Sequence, residues 1–105
     1  MKKTPKTTQP ISDRFFARGR EFLGCQTPIM CGAMTWVSDP KLVAAVCNAG
    51  GFGCLAGGNT PVAILEKQIE ETRKLTDKPF AVNLITIAPA YKEHMEMILC
   101  RPGRW

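Results

Sequence analysis

The chain of 105 residues is long enough for one small domain or part of a larger one, and its 45% apolar and 22% charged content excludes disorder by composition. No apolar run approaches the roughly 18 residues needed to cross a bilayer, and the N-terminus lacks the apolar core of a secretory signal, so a cytoplasmic protein with no membrane partner is expected. The net charge of +5 does not point to nucleic acid, because residues 1–20 hold six Lys or Arg and one Asp while residues 21–105 balance eight basic against eight acidic side chains; the excess belongs to a solvated arm, not to a folded face.

Regular patterning starts at residue 27. The run "TPIMCGA" (27–33), opened by Pro28, predicts a first strand. "SDPKLVAAVCNAGG" then reads as a helix, with Ser38 or Asp39 as N-cap, Pro40 in the first turn, Leu42, Val43 and Val46 on one face, and Gly50-Gly51 as a left-handed stop. "FGCLAG" (52–57) predicts a second strand. The helix pattern returns with Thr60 as N-cap, Pro61 after it, and Leu65, Ile69 and Thr72 along one side. "PFAVNLITI" (79–87) predicts a third strand, and a last helix is expected over 90–99.

Strands that are apolar on both faces, separated by amphipathic helices, imply an α/β fold with a parallel sheet. The strand starts recur about every 26 residues, which suits a doubly wound sheet or a (β/α)8 TIM barrel. Three units are present where a barrel has eight, and "LCRPGRW" breaks the pattern. The expected fold is therefore the first three β/α units of a truncated TIM barrel. Residues 1–24 form a basic N-terminal extension, residues 25–105 the partial barrel, and the end is atypical from about residue 99. The open apolar edge of such a sheet would offer a route to self-association.

Sites in parallel α/β folds gather at the carboxyl ends of strands. After the first strand come Gly32, Ala33, Met34 and Thr35, where two small residues would let a planar ligand reach the backbone and the next two offer amides and a hydroxyl. The residues alone favour a plain βα connection there. Gly57-Gly58-Asn59 follows the second strand as a weak candidate. Asn83 interrupts an apolar strand, and a buried carboxamide needs partners or costs about 1–3 kcal/mol. It is explained equally by bonds to neighbouring backbone and by presentation of its amide to a ligand. "NAGGFG" (48–53) places its glycines after a helix and before a strand, the reverse of a dinucleotide loop, and reads as helix termination and close packing.

His94, flanked by Glu93 and Glu96, is expected to be a solvated helix residue rather than a general base. The five cysteines (25, 31, 47, 54 and 100) form no Cys-x-x-Cys pair and have one histidine for company, so no metal site is expected. Four of them sit in or beside apolar runs and read as small free-thiol hydrophobes, which fits a reducing compartment.

The blocks "GAMTWVSDP", "NAGGFG" and "LTDKPFAVNL", in that order and spacing, resemble the nitronate monooxygenase family, formerly 2-nitropropane dioxygenases. Flavin-dependent enoyl-acyl carrier protein reductases share the pattern, and the resemblance covers about residues 19–98. It implies an FMN-binding TIM barrel that oxidises alkyl nitronates with O2 or reduces enoyl thioesters with a nicotinamide cofactor. By the resemblance, Gly32, Ala33, Met34 and Thr35 match the loop lining the flavin, and Asn83 the asparagine that hydrogen-bonds its ring; Gly58 and Asn59 have weaker support. Cys31 stands where Gln or Gly is frequent. The family's catalytic histidine falls beyond the third unit and His94 does not match it, so no catalytic residue is assigned. The isolated chain is expected to be inactive, and a vestigial non-enzymatic fragment is the alternative.

Overall fold

The computed structural model describes residues 10–100 as four helices and three strands: α1 (Ile11–Leu23), β1 (Met30–Cys31), α2 (Pro40–Asn48), β2 (Phe52–Ala56), α3 (Val62–Leu75), β3 (Ala81–Asn83) and α4 (Tyr91–Leu99). The strands form a parallel sheet in the order β1-β2-β3. Met30 and Cys31 pair with Phe52 and Gly53, and Cys54, Leu55 and Ala56 pair with Ala81, Val82 and Asn83. Strand order follows chain order, α2 packs on α3, and α3 packs on α4. This winding in one sense, with consecutive helices as neighbours, is that of a barrel arc and equally of one half of a doubly wound sheet.

α2 starts and stops as its sequence dictates. Asp39 Oδ1 accepts the Leu42 amide at 2.9 Å, and Pro40 fills the first helical position, where a missing N–H costs nothing. At the other end Gly50 takes φ +97°, with Gly51 N–H bonded to the Val46 carbonyl and Gly50 N–H to that of Cys47. Those two bonds close a Schellman motif. Gly53 then lets α2 lie directly on β2, because a Cβ there would come 2.8 Å from the Val43 carbonyl oxygen. The reading of "NAGGFG" as termination and close packing agrees with this geometry.

α3 buries Leu65, Ile69 and Thr72, the three residues its periodicity selects. Its start differs from expectation. Pro61 holds the cap position without a side-chain bond, and the Thr60 hydroxyl instead turns back to the Ala56 carbonyl at 3.2 Å. The core between sheet and helices consists of Val43, Cys47, Leu55, Leu65 and Ile69, with Phe80, Val82, Leu84 and Met97 against it.

The outer strands are shorter than their apolar runs. β1 ends at Cys31 because the next carbonyl, that of Gly32, is taken by the Ser38 hydroxyl. β3 ends at Asn83, level with the last residue of β2, so the following "LITI" has no ladder to join and Ile87 is exposed. Of the solvated arm expected over residues 1–20, residues 1–9 lie outside the described residues, as does the unusual end at 101–105. From Ile11 onward the arm is helical, although α1 buries no residue. An Asp13–Arg20 ion pair at 2.9 Å spans two turns, Gly24 closes the helix at φ +65°, and Gly19 rests against Pro28 where the chain enters β1.

Leu65 is fully buried and Asp39 is exposed, so their truncations should separate cleanly. Leu65→Ala is expected to lower unfolding free energy by about 2–5 kcal/mol, and Asp39→Ala by about 1 kcal/mol, both read from urea denaturation.

Candidate functional site

The loop after β1 owes its shape to Ser38, which is buried. Its hydroxyl donates to the Gly32 carbonyl at 3.2 Å and accepts the Met34 amide at 2.9 Å. Further bonds from the Val37 and Ser38 amides to the Met34 carbonyl close the turn. The Met34 amide is thus already occupied, whereas the amides of Ala33 and Thr35 have no partner among the described residues. Nothing lies within 4 Å of where a Gly32 Cβ would stand. Met34 and Thr35 are exposed and Ala33 is half-buried. Trp36, at φ +67°, is held in a left-handed conformation that a bulky residue adopts only under local constraint.

Asn83 differs from the buried carboxamide that the apolar run suggested: it is exposed. The strand carries it just to the sheet edge, where its carbonyl accepts the Gly57 amide at 3.0 Å and its side chain has no partner among the described residues. β2 lies between β1 and β3, so measured across the strands the Gly32–Thr35 loop and Asn83 are two interstrand spacings apart, roughly 9–10 Å. That span suits a flat, extended ring system better than a small ion.

Gly57 and Gly58 serve a different purpose from an open ligand loop. A Cβ on Gly57 would come 2.8 Å from both the Asn83 carbonyl and Leu65 Cδ2, and one on Gly58 would overlap Ile85 Cγ1 and Cδ1. These glycines admit neighbouring side chains, while Asn59 is exposed beside them. A cleft of about 310 Å3 opens between the starts of α2 and α3, lined by Trp36, Ser38, Asp39, Thr60, Ile64 and Gln68.

The expected solvated position of His94 is corrected by the structure. It is 1% exposed, with Nε2 2.7 Å from the Thr60 carbonyl. Since a carbonyl only accepts, Nε2 carries the proton. Nδ1 is buried without a partner among the described residues. The acidic neighbours pointed to solvent, but Tyr91, His94, Met97 and Ile98 fall at helical spacing and are all buried or half-buried, the signal that could have placed it. Ser38 was legible only as an alternative cap; the spare capping-type residue before Asp39 was its signal.

The cysteines are free, and no group of His, Cys, Asp or Glu among the described residues could hold a metal ion. Burial pushes the Cys47 and Cys54 thiols up, opposed in part by hydrogen bonds from the Gly53 and Asn83 amides. Neither is an activated thiolate.

Parallel β/α units wound in one sense are the repeating unit of a (β/α)8 barrel, a fold whose ligand sites lie at the strand carboxyl ends. A nitronate monooxygenase family model matches residues 18–99, and the chain belongs to that family, whose members are flavin-dependent oxidoreductases. It is 50% identical over 68 residues to a nitronate monooxygenase of Paraburkholderia phytofirmans, covering 65% of this chain and 19% of that one. It is 39% identical over 79 residues to a (3aS,4S,5R,7aS)-5-hydroxy-7a-methyl-1-oxo-octahydro-1H-indene-4-carboxyl-CoA dehydrogenase of Rhodococcus jostii, covering 75% and 22%. FabK from Thermotoga maritima superposes with a TM-score of 0.73 at 39% identity, over 76% of this chain and 26% of that one. The chain spans about a fifth of the length of the curated relatives it matches. No helix among the described residues is long and apolar enough to cross a membrane.

The glycines separate by substitution. Gly32→Ala should leave the urea midpoint unchanged, because its Cβ meets open space. Gly58→Ala should lower stability by about 1–3 kcal/mol through overpacking against Ile85. Iodoacetamide at neutral pH should alkylate exposed Cys100 well before Cys47 and Cys54, followed by mass spectrometry.

Proposed function

We propose that Gly32, Ala33, Met34, Thr35 and Asn83 form part of an FMN ring site, and that the chain serves flavin-dependent oxidation of alkyl nitronates by O2. In this reading residues 25–105 supply the barrel units and residues 1–24 precede them as a basic extension. The observation that carries the proposal is the open backbone face at Gly32, with the exposed Asn83 carboxamide two strands away on the same edge.

The residues present fit a flavin ring. Backbone at Gly32 can be approached closely, and the Ala33 and Thr35 amides are free to donate to ring-edge acceptors. The Asn83 carboxamide can both donate and accept. Met34, 44% exposed, offers an apolar and polarisable surface beside them. When bound, the flavin supplies the electron chemistry, which none of these side chains can perform. The chain's share is to bind and orient the ring: Ser38 holds the loop open, and Asn83 sets the far edge. His94, with its Nε2 proton committed to Thr60, has no role as a base in this scheme.

A second reading, reduction of an enoyl thioester, is favoured by the likeness to FabK. It uses the same ring site and differs in the electron donor.

Titration of the purified chain with FMN should quench flavin fluorescence and leave protein-bound absorbance near ~450 nm. Asn83→Ala should weaken binding about tenfold, the worth of one hydrogen bond, and Gly32→Val by more, neither lowering the urea midpoint. Absence of wild-type binding at millimolar FMN would overturn the assignment. The chain alone is expected to show neither oxygen uptake with propyl-2-nitronate nor NADH oxidation with a crotonyl thioester, and turnover in one assay would select that reading.

A further inference from the structure

We propose that His94 is a positioning residue: from α4 it fixes the loop after β2 at the height where that loop meets Asn83, and so sets the edge of the ring site. The inference rests on the FMN reading for its functional meaning, but its geometry stands on this chain alone. His94 is the buried residue of α4. Its Nε2–H reaches across 34 positions of sequence to the Thr60 carbonyl at 2.7 Å. Thr60 is in turn tied to the end of β2, its hydroxyl donating to the Ala56 carbonyl at 3.2 Å and its amide to that of Gly57 at 3.2 Å.

Gly57 passes the constraint onward, since its amide donates to the Asn83 carbonyl at 3.0 Å. The bonds therefore run α4, Thr60, Gly57, Asn83, from a helix on the outside of the sheet to a proposed ring contact. The His94 bond is thus a direct tie between α4 and this loop. Gly58 locks the middle of the same loop against Ile85, leaving it no slack to absorb a shift at Thr60.

The bare Nδ1 supports this assignment. A histidine kept only for volume would gain from any apolar replacement, because a buried acceptor without a partner is costly. Keeping the ring despite that cost is accounted for by its other nitrogen. A donor is required at Thr60, where the carbonyl would otherwise be stranded beneath α4.

The test uses the whole chain with His94→Gln, which keeps an N–H at the Nε2 position, and His94→Phe, which keeps the volume alone. Nitrogen-15 spectra of the wild-type ring should show one tautomer, protonated at Nε2 and bare at Nδ1. A protonated Nδ1 in the neutral ring would overturn the proposal. Amide hydrogen exchange at Gly57 and Thr60 should accelerate about tenfold in His94→Phe, the factor one hydrogen bond is worth. It should stay at wild-type rates in His94→Gln, with Cys47 and Ile69 amides unchanged in both. Equal protection of the loop in all three proteins would overturn it. If His94→Phe fails to fold, the wild-type tautomer and the His94→Gln exchange rates still decide. FMN titration of the same proteins keeps the two readings apart: a wild type that does not bind FMN removes the flavin assignment, while exchange at Gly57 and Thr60 continues to judge His94. If wild type and His94→Phe bind FMN equally, the link from loop to ring site fails.

Discussion

The close approach of α2 to β2 at Gly53 is the constraint from which the remaining geometry follows. β2 is the strand paired on both sides, so its position sets the register of β1 through Phe52 and Gly53 and of β3 through Cys54 to Ala56. Its distance from the helical layer is set where the Val43 backbone rests over Gly53. A side chain at that point would lift α2 and open a gap beneath Val43 and Cys47, which form one wall of the core. Cys47 reinforces the contact, accepting the Gly53 amide at 3.3 Å and donating to the Pro79 carbonyl at 3.4 Å. One thiol thereby joins a helix, the central strand and the approach to β3.

The carboxyl-end face inherits this order. β2 and β3 stop level with each other, β1 stops earlier, opposite Gly53, and each of the three following loops is tied by a different device. A serine hydroxyl holds the first, glycine packing and a histidine hold the second, and the third begins at Asn83. Polar groups left over after those bonds, among them the Ala33 and Thr35 amides and the Asn83 carboxamide, are the ones able to meet a ligand. Recognition capacity at this face is what remains when folding has taken its share of hydrogen bonds.

Much of this was legible from residue order. The Asp39 cap, the Gly50 stop and the Leu65, Ile69, Thr72 stripe depend on near neighbours in sequence, and local chemistry suffices to read them, whereas the expected Thr60 cap gave way to a bond back to Ala56. Strand lengths were not, because apolar content over 27–33 and 79–87 says nothing of where a partner strand runs out. The environments of Asn83 and His94 were misjudged for the same reason. Asn83 escapes burial because β2 ends beside it, and His94 is buried on the inward stripe of α4, where it meets a carbonyl 34 residues away. For Gly32 to Thr35 the residues alone favoured a plain connection and for Asn83 they favoured neither reading; it is the family likeness that singles these residues out as the proposed ring site.

The Ser38 bonds carry a consequence for how such a surface can diversify. Both of its contacts on the loop are to main-chain atoms, the Gly32 carbonyl and the Met34 amide. The loop's path is therefore indifferent to the side chain at 34, proline excepted, and Ala33 and Thr35 take no part in the closure. Shape is inherited from one position and surface chemistry from three others, so natural drift at 33 to 35 can retune what the face recognises without re-solving how the loop folds.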